Sequence, residues 1–201
     1  MENRIILASR SPSRAMILKN AGVPFDAVPA DIDETAIIAG NLAAGQAPGN
    51  IGALLAEAKA AAVSRLPAAR GRTVLAADQI LVCDGEIFEK PGDMDEARET
   101  LKKLRGKKHS LLACVAIFEG GKKACGLYDE AHLTMRNFSG AYLDRYLAEA
   151  GEGILTSVGA YQLEGMGAQL FEKIEGDFFT ILGLPLLPVL DFLRGRGAPE
   201  G

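Results

Sequence analysis

Asp78 interrupts a run that is otherwise almost continuously apolar, TVLAADQILV at 73–82. A carboxylate in such a place must find hydrogen bonds, a cation or a metal, or else take up a proton, because burying it unpaired is costly. Three roles suit it: general base, metal ligand, or a structural cap at the wet end of a strand. Gln79 follows directly and points to the opposite face of a regular strand, so at most one of the two side chains faces a given pocket.

The stretch LASRSPSRAMIL, 7–18, poses the complementary problem. It sets Arg10 and Arg14 at the start of a helix, where the aligned peptide dipoles already place partial positive charge. Ser9 and Ser11 add hydroxyl donors to the N–H groups of that turn. Together they make a site for an anion such as a phosphate chain; the bland alternative is a capped helix with two solvated arginines. Lys59, on an alanine-rich helix face, and Lys90, which precedes Pro91, read locally as solvated lysines that are also able to meet phosphate. Glu34 ends the acidic segment DIDE, which either holds Mg²⁺ through carboxylate oxygens or forms a solvated loop.

The elements that must position these residues follow from local signals. Residues 4–8 read as a strand, Ser11 as an N-cap, Pro12 as the first helical residue and Gly22 as the stop. A short strand is expected at Phe25–Val28. The segment 39–52, AGNLAAGQAPGNIG, reads as a mobile connection before a helix from about 52 to 65. After the strand at 73–82, Asp84-Gly85 is a hairpin turn, and Asp93 with Glu96 resembles a capping box opening a helix that ends at Gly106. The pattern over 108–136 is a long hairpin turning at Gly120-Gly121, its second arm wet on one face. Ser139 caps a helix to about Ala150, residues 157–185 are punctuated by glycines, and 186–193 close the chain as a helix. Interleaved helices and strands predict an α/β fold, a mixed central sheet with flanking helices, in one domain over 1–201.

Composition removes several classes of function. The net charge is −4, with 22 basic against 26 acidic residues. No Lys/Arg block marks a nucleic-acid face, and 6% aromatics with no Trp supply no stacking platform. A small phosphate compound held by a few placed cations remains open. No apolar run approaches the roughly 20 residues of a membrane span, and MENRIILASR lacks the features of a signal peptide, so no membrane partner and a cytoplasmic location are expected. Cys83, Cys114 and Cys125 lie far apart in apolar, strand-like stretches and read as small buried hydrophobes. His109 and His132 lack metal-ligand spacing and read as ordinary surface or strand residues. Neither GxxxxGK[ST] nor a GxGxxG after the first strand is present.

Five ordered segments, LASRSPSRAMIL, DIDE, EAKAAAV, AADQILVCDGEIFEKP and GAYQLEGMGAQLFEKIEGDFFTILGLPL, closely resemble the Maf family of nucleoside triphosphate pyrophosphatases, also called septum formation inhibitors. The resemblance spans nearly the whole chain. It implies a Maf/ITPase-like fold of two lobes around a cleft and metal-dependent hydrolysis of a nucleoside triphosphate to the monophosphate and pyrophosphate. Asp78 falls on the catalytic acidic position. Ser9, Arg14, Lys59 and Lys90 match phosphate-holding positions, with Ser11 beside them, and Glu34 joins Asp78 as a ligand for Mg²⁺ or Mn²⁺. Arg14 is then explained by a ligand that brings the missing negative charge. The partner is a small nucleotide, with a homodimer allowed; the alternative is a non-catalytic nucleotide-binding regulator of cell division.

Base specificity departs from one branch of that family. Members of the dTTP/UTP type resemble one another in SPRR, ADT and a Gln in the later glycine-flanked loop; here those positions read Ser13, Gln79 and Glu164. The choices are similar instead to the 7-methyl-GTP pyrophosphatase branch. A Glu164 carboxylate suits the N1–H and exocyclic amine of a guanine, and methylation at N7 adds a positive charge that it favours. Ser13 with Ala15 is less bulky and less basic than the usual start of that branch, which allows a broader NTP range.

Overall fold

Ile5–Leu7 (β1) is wholly buried and is flanked by two parallel neighbours. Phe25–Ala27 (β2) pairs as Ile5↔Phe25, and Val74–Cys83 (β3) pairs as Ile6↔Val74 and Leu7↔Leu75. Parallel neighbours need crossovers. Pro12–Asn20 (α1) joins β1 to β2, while Glu34–Ala43 (α2) and Pro48–Ser64 (α3) join β2 to β3. Asp84 and Gly85, at φ 51° and 81°, turn β3 into the antiparallel Glu86–Phe88 (β4), the turn that an Asp-Gly pair favours. Met94–Leu104 (α4), Lys108–Glu119 (β5), Lys122–Met135 (β6), Gly140–Ala150 (α5), Phe171–Glu175 (β7), Phe178–Ile181 (α6) and Leu186–Arg194 (α7) complete the order. The sheet has seven strands, β2-β1-β3-β5-β6-β7, with β4 on β3. This computed structural model describes residues 4–195, and among them no helix is long and apolar enough to cross a membrane. The mixed sheet with flanking helices is the architecture that the interleaved pattern predicts.

The chain forms two compact units. Among the described residues the first covers 4–78, Ala113–Asp129 and 183–195. Its core sets Ala56, Ala60 and Val63 of α3 against Ile6, Val74, Ala76, Cys114 and Ala116. The small side chains let the helix lie close to the strands. The second unit comprises Gln79–Leu112 and Glu130–Leu182, with a core built from Leu81, Leu101, Leu104, Leu133, Leu143, Tyr146 and Tyr161. Full burial of each such aliphatic side chain contributes about 2 kcal/mol.

Several local expectations need correction. The segment 39–52 is not a connection: α2 occupies 34–43 and α3 begins at Pro48. Alanine is the strongest helix former, the Asp33 carboxylate caps α2 by accepting the Ala36 N–H at 2.9 Å, and Pro48 suits a first helical turn. The strands β1 and β2 are shorter than 4–8 and 25–28. Residues 171–175 form a strand within the glycine-punctuated stretch, because β6 offers the edge they pair with, as in Leu133↔Ile174. The capping box at Asp93 closes differently: Glu96 Oε2 accepts the N–H of Gly92, at 2.7 Å, rather than that of the cap residue. Cys125 is only half-buried, unlike Cys83 and Cys114. Of the two readings of His109, surface or strand, the strand one holds, and the residue is buried in the core at 2% exposed.

Candidate active site

Two periodicities bring the first pair of groups together. Along α3, Ala56, Lys59, Ala60 and Val63 recur at helical spacing, so Lys59 shares the buried face that packs on the strands. Along β3, Val74, Ala76 and Asp78 alternate onto one face, and Val74 and Ala76 belong to that same core. The ammonium therefore meets the carboxylate. Lys59 Nζ lies 2.6 Å from Asp78 Oδ1 and 2.7 Å from Glu34 Oε2, the first residue of α2. Asp78 and Lys59 are buried, whereas the Glu34 side chain is half-exposed. Burial pushes the Asp78 carboxyl above the ordinary aspartate range, against the pull of Lys59 and Arg14.

The β1–α1 turn supplies the next groups. Parallel pairing sets Leu7, the last residue of β1, opposite Leu75, so the turn that follows β1 runs alongside Ala77, and in open α/β sheets ligands gather outside such strand ends. Ser9 is buried, and its Oγ accepts the Ser11 N–H at 3.1 Å and an Arg14 Nη1–H at 3.4 Å. Ser11 caps α1, its Oγ accepting the Arg14 N–H at 3.4 Å. Ser13 stands half-buried in the first turn, and Arg10 is exposed. The backbone donors of this turn are largely engaged, since Pro12 has none and Ala15 N–H goes to Ser11 O. Hydroxyls and the guanidinium are what remain to meet an anion.

Arg14 has internal partners as well. Nε donates to Gly183 O and Nη1 to Ala77 O, each at 2.8 Å. Burial lowers the pKa of its guanidinium, with Asp78 and Glu34 opposing the change. Two carboxylates of the protein thus supply part of the negative charge that the sequence leaves missing at this helix start. Ser9, Arg14, Glu34, Lys59 and Asp78 all fall within the first unit as two hydrogen-bonded groups, Ser9–Arg14 and Glu34–Lys59–Asp78, with Arg14 near enough to feel the charge of both carboxylates.

Gln79, Lys90 and Glu164 belong to the second unit. The Gln79 amide donates to Thr180 O and Ile181 O, both at 3.0 Å, so its two hydrogens are spent on α6. Lys90 is exposed and lines an open hollow with Pro91, Asp95, Glu96 and Glu99. Glu164 is exposed in the turn that precedes the 3₁₀ segment Met166–Leu170. Sequence reasoning undervalued Lys59, whose place in the Ala56–Val63 stripe was the available signal that it faces the core.

The donor chemistry accommodates a hard divalent cation. Asp78 and Glu34 converge on a single ammonium nitrogen, and Mg²⁺ is typically held by one or two carboxylates, waters and substrate phosphates rather than by an all-protein cage. No group of three or more His, Cys, Asp or Glu able to hold a metal occurs among the described residues. The protein can supply two of the oxygens, and a phosphate ligand would have to supply others.

A buried carboxylate paired with an ammonium, with a guanidinium and hydroxyls close by in an α/β fold, is a set of groups suited to meeting a phosphate. The family model described as Maf-like protein matches residues 4–196, and the chain belongs to that family. It is 46% identical over 201 residues, 100% of both chains, to the 7-methyl-GTP pyrophosphatase of Brucella abortus. It is 50% identical over 194 residues, 96% of both chains, to the nucleoside triphosphate pyrophosphatase of Caulobacter vibrioides. Among solved structures, a nucleoside-triphosphatase (dITP/XTP pyrophosphatase) of Mycobacterium abscessus is 15% identical with a TM-score of 0.43, over 96% of this chain and 95% of that one.

Proposed function

We propose that the protein is a nucleoside triphosphate pyrophosphatase that hydrolyses a guanine-type or broader set of nucleoside triphosphates to the monophosphate and pyrophosphate. The observation that carries this reading is the buried Asp78 carboxylate bound by Lys59 at 2.6 Å and within electrostatic reach of Arg14, which is itself joined to Ser9. Full-length relatives named for pyrophosphatase activity support it.

Hydrolysis of a phosphoanhydride needs a positioned water, a base and cations that hold charge on the non-bridging oxygens; no covalent nucleophile is required. Asp78 accepts the water's proton on a carboxylate oxygen, and the burial that raises its pKa makes it a stronger base than an exposed aspartate. Lys59, held between Asp78 and Glu34, orients the base and carries positive charge toward the phosphates. Ser9 and Arg14 bind phosphate oxygens, Ser11 keeps the α1 start in place, and Lys90 adds a further cation. Mg²⁺ or Mn²⁺, held by Asp78 and Glu34, would neutralise phosphate charge and lower the pKa of water. Glu164 accepts hydrogen bonds from the base edge, and Ser13 and Gln79 shape the remaining preference. A net charge of −4 with no Lys/Arg block suits a small free nucleotide better than a nucleic acid.

The test is pyrophosphate release from a panel of nucleoside triphosphates, 7-methyl-GTP included, with Mg²⁺ or Mn²⁺. Wild-type protein should release pyrophosphate from at least one, and Asp78→Asn should bind it with turnover reduced by about 10³-fold or more. Nucleotide binding by the wild type without release from any member would overturn the enzyme and leave the regulator.

A further inference from the structure

His109 is a buried titratable group that the proposed chemistry does not use. It is 2% exposed on β5, and its Nε2 forms a 2.8 Å hydrogen bond with the hydroxyl of Tyr161. Its Nδ1 is the one buried side-chain nitrogen or oxygen among the described residues with no hydrogen-bond partner. Leaving a buried polar atom unpaired costs free energy, and an apolar residue of similar size would fill this core position without that cost. Stability alone does not account for a histidine here. The directional bond to Tyr161 does.

Tyr161 opens the segment that carries Glu164, and that segment is held from several sides. Its ring packs edge-on against Phe171 of β7 with centroids 4.8 Å apart. Ala160 before it has φ 55°, a left-handed conformation that costs a residue with a Cβ on the order of 1 kcal/mol and persists only when its neighbours enforce it. Tyr146 of α5 donates its hydroxyl to Ala160 O at 3.2 Å, and Gln162 Nε2 donates to Gly153 O at 3.2 Å. Gly167 lies so close that a Cβ there would sit 2.5 Å from Gln162 O. Glu164 stands exposed in the middle of this braced turn, three positions beyond Tyr161.

We infer that the buried His109–Tyr161 hydrogen bond is a positioning device for base discrimination, holding Ala160 left-handed so that the 162–165 turn presents Glu164 in one orientation. Both are positioning residues that act through the turn, and the inference rests on the reading of Glu164 as a contact to the base. Without the bond, Tyr161 gains freedom, Ala160 relaxes toward the right-handed region and the carboxylate loses its fixed aim.

The measurement is kcat and KM for a guanine-type triphosphate and for a pyrimidine triphosphate, together with thermal unfolding. Tyr161→Phe should lower the guanine-over-pyrimidine ratio of kcat/KM by about tenfold, mostly through KM, with kcat moved less than about twofold. The double variant His109→Leu/Tyr161→Phe, which replaces the polar pair by an apolar one, should recover much of the Tm while leaving the ratio low. A ratio that stays at the wild-type value in both variants, or that returns together with the Tm in the double variant, overturns the inference. Glu164→Gln is run alongside: if it leaves the ratio unchanged while Tyr161→Phe lowers it, the Glu164 reading falls and positioning of the turn survives. If Glu164→Gln alone lowers the ratio, the base contact stands and the positioning role is lost.

Discussion

Lys59 Nζ lies 2.6 Å from Asp78 Oδ1, joining the middle of a helix to the middle of a strand through the only charged groups on two otherwise apolar faces. Removing one member of such a pair leaves the other buried without its nearest counter-charge, which costs about 3 kcal/mol. Lys59→Met should show a loss of that size in urea unfolding at neutral pH. The double variant Lys59→Met/Asp78→Asn should lose less than the sum of the single changes. Because Asp78 is already raised, and rises further without Lys59, it takes up a proton in the folded state as the pH falls, so the deficit of Lys59→Met should narrow toward acidic pH.

Arg14 and Lys90 are both proposed to bind phosphate, yet their substitutions should differ in stability. The Arg14 guanidinium satisfies two backbone carbonyls, Ala77 O and Gly183 O. Arg14→Lys keeps the charge but not the fork, so a stability loss of about 1–3 kcal/mol is expected along with a raised KM. Lys90→Ala should raise KM for triphosphates while unfolding stays within about 0.5 kcal/mol of wild type. Denaturant melts paired with substrate titrations separate the two.

His109 makes stability depend on pH. Burial draws its pKa down from 6.5 to about 4 in the folded protein. Between those values the unfolded chain binds a proton that the folded one does not. Stability contributed by the neutral ring is therefore whole above about pH 6.5 and declines as the pH falls toward 4, by at most about 3 kcal/mol. The slope of unfolding free energy against pH over that window should flatten in His109→Leu, and an unchanged slope would remove His109 as its source.

Gly167 has no room for a side chain, since a Cβ would lie 2.5 Å from Gln162 O and 2.8 Å from Gln162 N. Both are backbone atoms, so the segment must shift. Gly167→Ala should lower stability by about 1–3 kcal/mol and disturb the turn that bears Glu164, whereas Gly165→Ala, where the nearest such atom is 3.8 Å away, should be much milder. Thermal melts of the two variants give the comparison.

Much of the architecture was legible because it rests on short-range rules. Ser11 and Pro12 start α1, Asp84-Gly85 turns β3 into β4, and Ser139 caps α5, each through a bond or dihedral set within a few residues. The segment 39–52 is less legible, because alanine next to glycine resembles a breaker unless Asp33 and Pro48 are taken as helix starts. The strand at 171–175 was invisible for a different reason: alternation in FEKIE is weak, and pairing with β6 decides it.

The residue types of the candidate site and the faces they occupy were determined by the sequence alone, since a period of 3.6 puts Lys59 on the stripe of Ala56 and Val63, and a period of 2 puts Asp78 on that of Val74 and Ala76. Which cation meets which acid was decided only by the tertiary structure. The parallel pairing of β1 with β3 and the close seating of α3 on small side chains bring Lys59 onto Asp78 and set Arg14 and Glu34 within reach of its charge, drawn from segments tens of residues apart. Local periodicity fixes the direction of a side chain, but distances between remote segments depend on how whole elements pack, and that is settled by the burial of the surrounding apolar surface.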